Sequence, residues 1–402
     1  MPKTIKTIMI IAGEASGDLH GSSLASSLKA MDPDLRLIGM GGEKMIKAGV
    51  ESYQNIEDLS VIGLGEVLSN LGKFTAVFRF LVGRLDSERP DCVVLIDYPE
   101  FNLRFAKEAK KRNIPVIYYI SPQIWAWRKG RVKIVKKFIE KMLVIFAFEK
   151  EFYEKEAVAA EFVGHPLLDV VKPRFLREEF LKLQGLADNK KILALLPGSR
   201  QIEVIRNLPV MLKAAGIIKN KFGKDVQFVI AKPKEIKEEI YEEILKSNTP
   251  SPLPSPLRGE GGARGNVSAY KIIEDYPYDC VNAADLVLVA SGTATLETAI
   301  LEKPMLIIYK VSLLTWLVGK MLVKIPDIGL VNIVAGARIV PEFIQFDATA
   351  EKIADEAIGL ISSPEKINEI KINLRAVKEK LGGPGASRRA AQSILATLSH
   401  QE

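Results

Sequence analysis

The stretch Ile8-Met9-Ile10-Ile11-Ala12-Gly13-Glu14-Ala15-Ser16-Gly17-Asp18-Leu19-His20-Gly21 decides how the rest of the chain is read. An apolar run, Ile8 to Ala12, enters a glycine-containing turn and an amphipathic pattern follows at once, as when a buried strand feeds a helix. The run is too short for the apolar region of a secretory signal. Comparable runs recur at Leu35 to Met40, Cys92 to Ile96, Val116 to Ile120 and Met142 to Phe146, then at Ile192 to Leu196, Val226 to Ala231, Leu286 to Ala290 and Met305 to Tyr309. Separated by helical patterns, they predict βαβ units and therefore parallel sheets. They fall into two series, so the expected architecture is α/β, with two doubly wound domains joined near Val163-Gly164-His165-Pro166.

Composition agrees with a folded chain of this kind. The 402 residues are 48% hydrophobic and 26% charged, which excludes a wholly disordered or collagen-like protein. Lysine and arginine number 56 against 49 acidic residues, a net charge of +7 that suits an anionic partner: nucleic acid, a phosphorylated substrate or an acidic membrane. Only Cys92 and Cys280 are present, both in apolar segments, which excludes a disulfide framework or a cysteine zinc site and fits a reducing cytoplasm. No apolar run approaches the ~18 residues a bilayer span requires, so attachment to a membrane would be peripheral. One stretch breaks the pattern: Ser247 to Gly265, rich in proline and glycine, reads as a disordered surface insertion without a function of its own.

Four clusters could carry chemistry. The turn after the first strand offers Gly13, Glu14, Ser16, Gly17 and Asp18 at a helix start, where amides can face an anion; a turn capped by Ser16 or Asp18 is the plain alternative. Its spacing is not that of a dinucleotide fingerprint. Asp97, in Ile96-Asp97-Tyr98-Pro99-Glu100-Phe101-Asn102, lies just past a predicted parallel strand, where open α/β sheets place ligands, and is the first candidate for a general base; otherwise it caps the next helix. In Leu196-Pro197-Gly198-Ser199-Arg200, Arg200 beside Ser199 can clamp a phosphate or simply be solvated. Ser291-Gly292-Thr293-Ala294-Thr295-Leu296-Glu297 joins a strand to a helix with N–H and O–H donors for a diphosphate. Glu297 is placed to take a ribose diol, and a Ser/Thr-capped helix start is the alternative.

Other signals are weaker. Asp32-Pro33-Asp34 has D-x-D spacing but reads as a turn. His20, His165 and His400 are scattered, and neither a phosphate-binding Walker loop nor a nucleophile elbow is present. Two apolar faces flanked by cations, Leu64 to Leu81 and Val311 to Val323, read as core packing or as helices lying in a lipid interface.

Taken together, these blocks with Gly41-Gly42, Gln123-Ile124-Trp125-Ala126-Trp127, Phe148-Glu149 and Val163-Gly164-His165-Pro166 resemble the lipid-A-disaccharide synthase family, in order from about residue 8 to 395. The resemblance implies a GT-B glycosyltransferase: two Rossmann-like doubly wound domains facing across a cleft. It places an acceptor and membrane-facing domain at 1–168, a UDP-sugar domain at 169–375, and a closing helix at 376–402 that packs back toward the first. It further implies inverting transfer of 2,3-diacylglucosamine from UDP to the 6-hydroxyl of 2,3-diacylglucosamine 1-phosphate (lipid X), giving a β-1,6 disaccharide and UDP. Asp97 is then the base, Arg200 and Glu297 belong to the UDP site, and Asn332 in Leu330-Val331-Asn332-Ile333 matches an asparagine of that site. The Ser247 to Gly265 insertion departs from the family pattern.

From that chemistry follow an expectation of turnover without a metal or other cofactor, and of a cytoplasmic protein held peripherally on the inner leaflet of the inner membrane through the Leu64 to Leu81 face. Nucleic acid is not expected as a partner, because the cations are dispersed and no aromatic stripe accompanies them. The competing readings are a UDP-sugar epimerase of similar layout and a non-enzymatic basic adaptor at a membrane.

Overall fold

The computed structural model describes residues 5–55, 71–127, 129–248, 270–312, 316 and 327–399. The chain divides into two compact units, Met1–Asp169 together with Leu381–Glu402, and Val170–Lys380.

In the first unit β1 (Thr7–Ala12), β2 (Arg36–Gly41), β3 (Glu51–Asn55), β4 (Cys92–Ile96), β5 (Val116–Tyr119), β6 (Lys141–Val144) and β7 (Ala160–Phe162) form one sheet in the order β3-β2-β1-β4-β5-β6-β7. Every pairing is parallel. Ile8 to Ala12 and Cys92 to Ile96 are fully buried, which is why these strands read as unbroken apolar runs: helices cover both faces of the sheet. The second unit repeats the plan with β8 (Lys191–Leu196), β9 (Val226–Lys232), β10 (Tyr270–Glu274), β11 (Leu286–Ala290), β12 (Met305–Tyr309) and β13 (Glu342–Ile344), ordered β10-β9-β8-β11-β12-β13 and again all parallel.

Strand order reverses between β1 and β4 in one sheet and between β8 and β11 in the other. At such a switch point the connections leave in opposite directions and open a crevice beyond the strands' carboxyl ends. The sequence clusters at Gly13, Asp97, Ser199 and Ser291 all follow these four strands.

The helix Leu71–Glu88 packs on the helix Pro99–Lys111 through an aromatic cluster. Phe74 and Phe78 stand edge-on to Phe101 at 5.3 Å each, and Phe78 also meets Phe105 at 6.1 Å. Leu81 is fully buried. The stripe expected to face lipid is therefore divided: Phe74, Phe78 and Leu81 serve the core, and residues 64–70 lie outside the described ones. Burying each such ring is worth about 1.5–3 kcal/mol, so the core claims them first. The second apolar face, Val311 to Val323, also lies largely outside the described residues; Trp316 meets Phe346 edge-on at 5.3 Å. Of the expected insertion, residues 249–265 are likewise outside.

After the helix Pro364–Lys380 the chain re-enters the first unit, where the helix Ala386–Ser399 buries Ala386, Ala390, Ala391 and Ile394. Arg389 fastens it, donating from Nε to Val163 O at 2.8 Å and from Nη1 and Nη2 to Pro384 O and Gly383 O. Asp169 accepts from Gly385 N at 2.7 Å.

Candidate active site

In the first unit the site is built on a strained corner. Asp97 and Tyr98 follow β4 with φ of 46° and 48°, the left-handed region that costs a residue with a Cβ about 1–3 kcal/mol. Three hydrogen bonds hold the corner: Asn102 Nδ2 donates to Ile96 O at 3.1 Å and to Asp97 O at 2.6 Å, and the Tyr118 hydroxyl donates to Asp97 O at 2.5 Å. The turn brings the Tyr98 ring over the backbone of Gly13, where an added Cβ would lie 2.1 Å from Tyr98 Cδ1. Glycine is required at 13 for this close approach.

Asp97 is mostly withdrawn from water. Burial, reinforced by the negative charge of Glu14, pushes its carboxyl up to about 6, against the opposing backbone N–H of Tyr98. A carboxylate that accepts a proton near neutrality is suited to general base catalysis. Glu14 ends the β1 turn, exposed, and Ser16 is exposed beside it. Gly17 is buried, its Cβ position 3.2 Å from Ala12 Cβ, so it lets the helix Ala15–Met31 close on the sheet. Asp18 does something else: its carboxylate accepts from Gly42 N, Met45 N and Lys44 N at 2.8, 3.0 and 3.1 Å. That commits Asp18 to tying β1's helix to the segment after β2.

Further along the same carboxyl edge, the blocks after β5, β6 and β7 meet. Glu149 is buried and accepts from Trp125 Nε1 at 3.1 Å and Phe146 N at 3.3 Å; burial pushes its carboxyl up to about 8, so it is protonated at neutral pH. Ser121 Oγ lies 2.7 Å from the Tyr153 hydroxyl. His165 packs on Phe146 with ring centres 5.1 Å apart and accepts at Nδ1 from Leu167 N. Burial holds His165 down to about 3 and His20 to about 4, so both rings are neutral. Scattered in sequence, the two histidines come near enough in the fold that His20 contributes to the lowering of His165, while Lys44 is the charge that adds to burial at His20. Among the described residues no three metal-binding side chains converge. Asp32 Oδ1 accepts from Asp34 N at 3.2 Å, closing the turn read from the D-x-D spacing.

The second unit's switch point has two helix starts. After β8, Gly198 adopts φ 136°, and the helix Gln201–Phe222 begins beyond Arg200. Glu203 reaches back so that its Oε2 accepts from Ser199 N at 3.0 Å and Arg200 N at 3.3 Å. The Arg200 guanidinium lies 3.8 Å from Glu203 Oε1 and its side chain is 75% exposed, so it is loosely held and open to a ligand. After β11, Gly292 at φ 148° turns the chain into the helix Thr293–Ile300. Thr293 is exposed and Ala294 half-buried, and the first amides of this helix have no carbonyl a turn earlier to bond. Thr295 is fully buried with its hydroxyl donating to Gly292 O at 2.8 Å, which makes it a brace for the turn. Ser291 Oγ donates to Ile328 O at 3.4 Å. Glu297, raised above the ordinary carboxylate range by burial, accepts from the Tyr278 hydroxyl at 3.4 Å.

Asn332 is built into the fold. Its Nδ2 donates to Val340 O at 2.9 Å and Glu342 Oε1 at 2.7 Å, and its Oδ1 accepts from Ile339 N and Val340 N. Glu342 in turn accepts from Ile328 N and Gly329 N. The amide thus positions the Ile328–Gly329 segment beside Ser291, and its hydrogen-bonding capacity is filled. The structure accordingly gathers Gly13, Glu14, Ser16, Gly17 and Asp97 at one switch point and Ser199, Arg200, Ser291 to Ala294 and Glu297 at the other, with Asp18, Thr295 and Asn332 as supports. Sequence reasoning missed Tyr98, Asn102, Glu203, Tyr278 and Glu342. Only Glu203 left a signal, an acidic residue three positions after a helix cap.

Residues 8–396 match the family model described as lipid-A-disaccharide synthetase. A lipid-A-disaccharide synthase of Syntrophus aciditrophicus is 43% identical over 397 residues, covering 99% of each chain. Among solved structures, the S. aureus MnaA-UDP co-structure matches with TM-score 0.65 at 13% identity, covering 98% of this chain and 97% of that one. The calicheamicin glycosyltransferase CalG4 matches with TM-score 0.61 at 14% identity, covering 98% and 99%. The likeness to these two is one of fold, and it sets the paired Rossmann-like units beside a glycosyltransferase. The sequence match goes further: over essentially its whole length this chain belongs to the lipid-A-disaccharide synthase family of glycosyltransferases.

Proposed function

We propose that the chain transfers 2,3-diacylglucosamine from UDP to the 6-hydroxyl of lipid X with inversion, Asp97 acting as general base and the switch point of the second unit binding the UDP diphosphate. The observation that carries this reading is Asp97: a half-buried carboxyl raised to about 6, on a strained corner at the carboxyl edge of β4. Inversion needs the acceptor oxygen in line behind the anomeric carbon and a base to take its proton as the new bond forms. Asp97 takes the proton of the 6-hydroxyl, the C–O bond to the donor's anomeric carbon forms, and the bond to the UDP phosphate breaks with its electron pair leaving on UDP.

The departing diphosphate gains charge and needs donors already in place. Arg200 and the helix start at Ser291 to Ala294 supply them, and Glu297 takes the ribose diol. The UDP named with the S. aureus structure supports this choice of donor. Because a guanidinium and amides meet the charge, turnover proceeds without a divalent ion; activity should survive EDTA, and an enzyme revived only by Mg²⁺ would refute this.

A sugar bearing two long acyl chains stays in a membrane, each methylene contributing about 0.8 kcal/mol. The enzyme therefore works peripherally at the inner leaflet, docking through the apolar stretch that begins at Leu64. No described helix is long and apolar enough to cross a bilayer. Leu68→Ser with Leu71→Ser should release the protein from anionic vesicles while UDP affinity holds; Phe74 is left intact because it packs on Phe101. The reading as a whole is tested by incubating wild type, Asp97→Asn and Arg200→Ala with UDP-2,3-diacylglucosamine and lipid X. Disaccharide should form with wild type alone at an appreciable rate, and full activity of Asp97→Asn would remove the proposed base.

A further inference from the structure

The opposite edge of the second sheet holds a cavity of about 340 Å³ whose charge the transfer reaction does not use. It lies at the amino ends of three neighbouring strands: Lys191 opens β8, Asp285 precedes β11, and Lys303 precedes β12. At ~3.3 Å per residue, β11 separates it from Ser291 by about 16 Å. The helix Pro364–Lys380 covers it with Ile367 and Lys371 one turn apart, and Arg177 closes a side.

Four cations thus line the cavity with one carboxylate, Asp285, and Arg177 also meets Asp188 outside it at 3.5 Å, so Lys303 and Lys371 carry most of its unneutralised charge. Asp285 is already shared: its Oδ2 accepts from Ile192 N at 2.8 Å and lies 3.4 Å from Arg177 Nη2, while its Oδ1 lies 3.7 Å from Lys191 Nζ. Among the described residues Lys303 and Lys371 form no ion pair. Nearby Glu302 does not relieve them, because Arg375 and Lys378 hold it at 3.1 Å each. Burial, then repulsion from Lys371 and Arg177, lowers the Lys303 ammonium to about 8, with Asp285 opposing. An arrangement that keeps like charges together around an open space loses that repulsion when an anion enters.

We propose that this cavity is a second anion site of the chain, separate from the switch point, which takes a compact phosphate-bearing anion between Lys303, Lys371 and Arg177. Isothermal titration of the full chain with inorganic pyrophosphate tests it, because pyrophosphate carries the shared chemistry without a nucleoside. Arg200→Ala, which weakens the switch-point site, should leave a pyrophosphate site with unchanged affinity. Lys303→Met with Lys371→Met should weaken that site by roughly tenfold or more in either background, two charge-assisted contacts being lost. The same pair should leave UDP binding intact in the Arg200-containing chain, which also reports that it folds. The single Lys371→Met, at an exposed position, should give an intermediate loss. Pyrophosphate binding abolished by Arg200→Ala, or unchanged by the lysine pair, would overturn the proposal. So would the absence of any binding beyond the switch point.

Discussion

Asp97→Asn should have opposite effects on activity and stability, and the size of the second follows from the site. In the folded chain the carboxyl titrates near 6 against an ordinary value of 3.8. The folded state therefore holds its proton more tightly than the unfolded state does. The ionised residue costs stability, and that cost is absent below the unfolded value, grows as pH rises through the interval between the two, and is complete above the folded one. Two pH units correspond to about 3 kcal/mol, which solvent reaching the partly accessible side chain reduces to about 1–3 kcal/mol. The neutral isostere avoids this penalty, so Asp97→Asn should gain that amount in urea unfolding at pH 7 and little near pH 4, where both side chains are uncharged. Meanwhile disaccharide formation should collapse, because the amide takes no proton, and the wild-type acid limb of kcat/KM should lie near pH 6. Glu14→Gln removes the second cause of the raised value and should move that limb to lower pH. A stability gain equal at both pH values, or an acid limb unmoved by Glu14→Gln, would refute the electrostatic account.

Other consequences are simpler to state. Gly13→Ala drives a Cβ into the Tyr98 ring and should cost about 1–3 kcal/mol of stability, read by thermal unfolding, together with much of the activity. Arg200→Ala, at an exposed side chain, should change stability by less than about 0.5 kcal/mol yet lower kcat by roughly 10²–10³. Glu203→Gln removes a negative charge from the Ser199 and Arg200 amides and should tighten UDP binding several-fold by calorimetry; weaker binding would show that Glu203 helps to hold the ligand. Glu149 carries its folded value of about 8 above an ordinary 4.5, so ionisation opposes folding as pH rises. Glu149→Gln should be more stable than wild type at pH 9 and equal to it at pH 4.

The central strands were legible because each is buried on both faces and so reads as an apolar run: Cys92 to Ile96, Leu286 to Ala290 and Met305 to Tyr309 match the strands residue for residue. The edge strands Glu51–Asn55, Tyr270–Glu274 and Glu342–Ile344 escaped notice, since a strand with one neighbour is short and carries polar residues toward solvent. The position of the site followed from the turns that end those central strands. What a polar side chain does there was not legible. Asp18 and Asn332 sit in the right blocks, but their partners lie beyond the turn each sits in, at Gly42 to Met45 for Asp18 and at Ile339 to Glu342 for Asn332, and local spacing carries no trace of them. The strain at Asp97 and Tyr98 is equally invisible, because Asn102 and Tyr118 impose it from elsewhere.

The account rests on direct transfer between two bound sugars, and the linkage of the product reports it. Purified chain given UDP-2,3-diacylglucosamine and lipid X in EDTA should release one UDP for each disaccharide, with a β-1,6 bond by NMR. An α-linked product, or donor consumed at the same rate when lipid X is omitted, would contradict it.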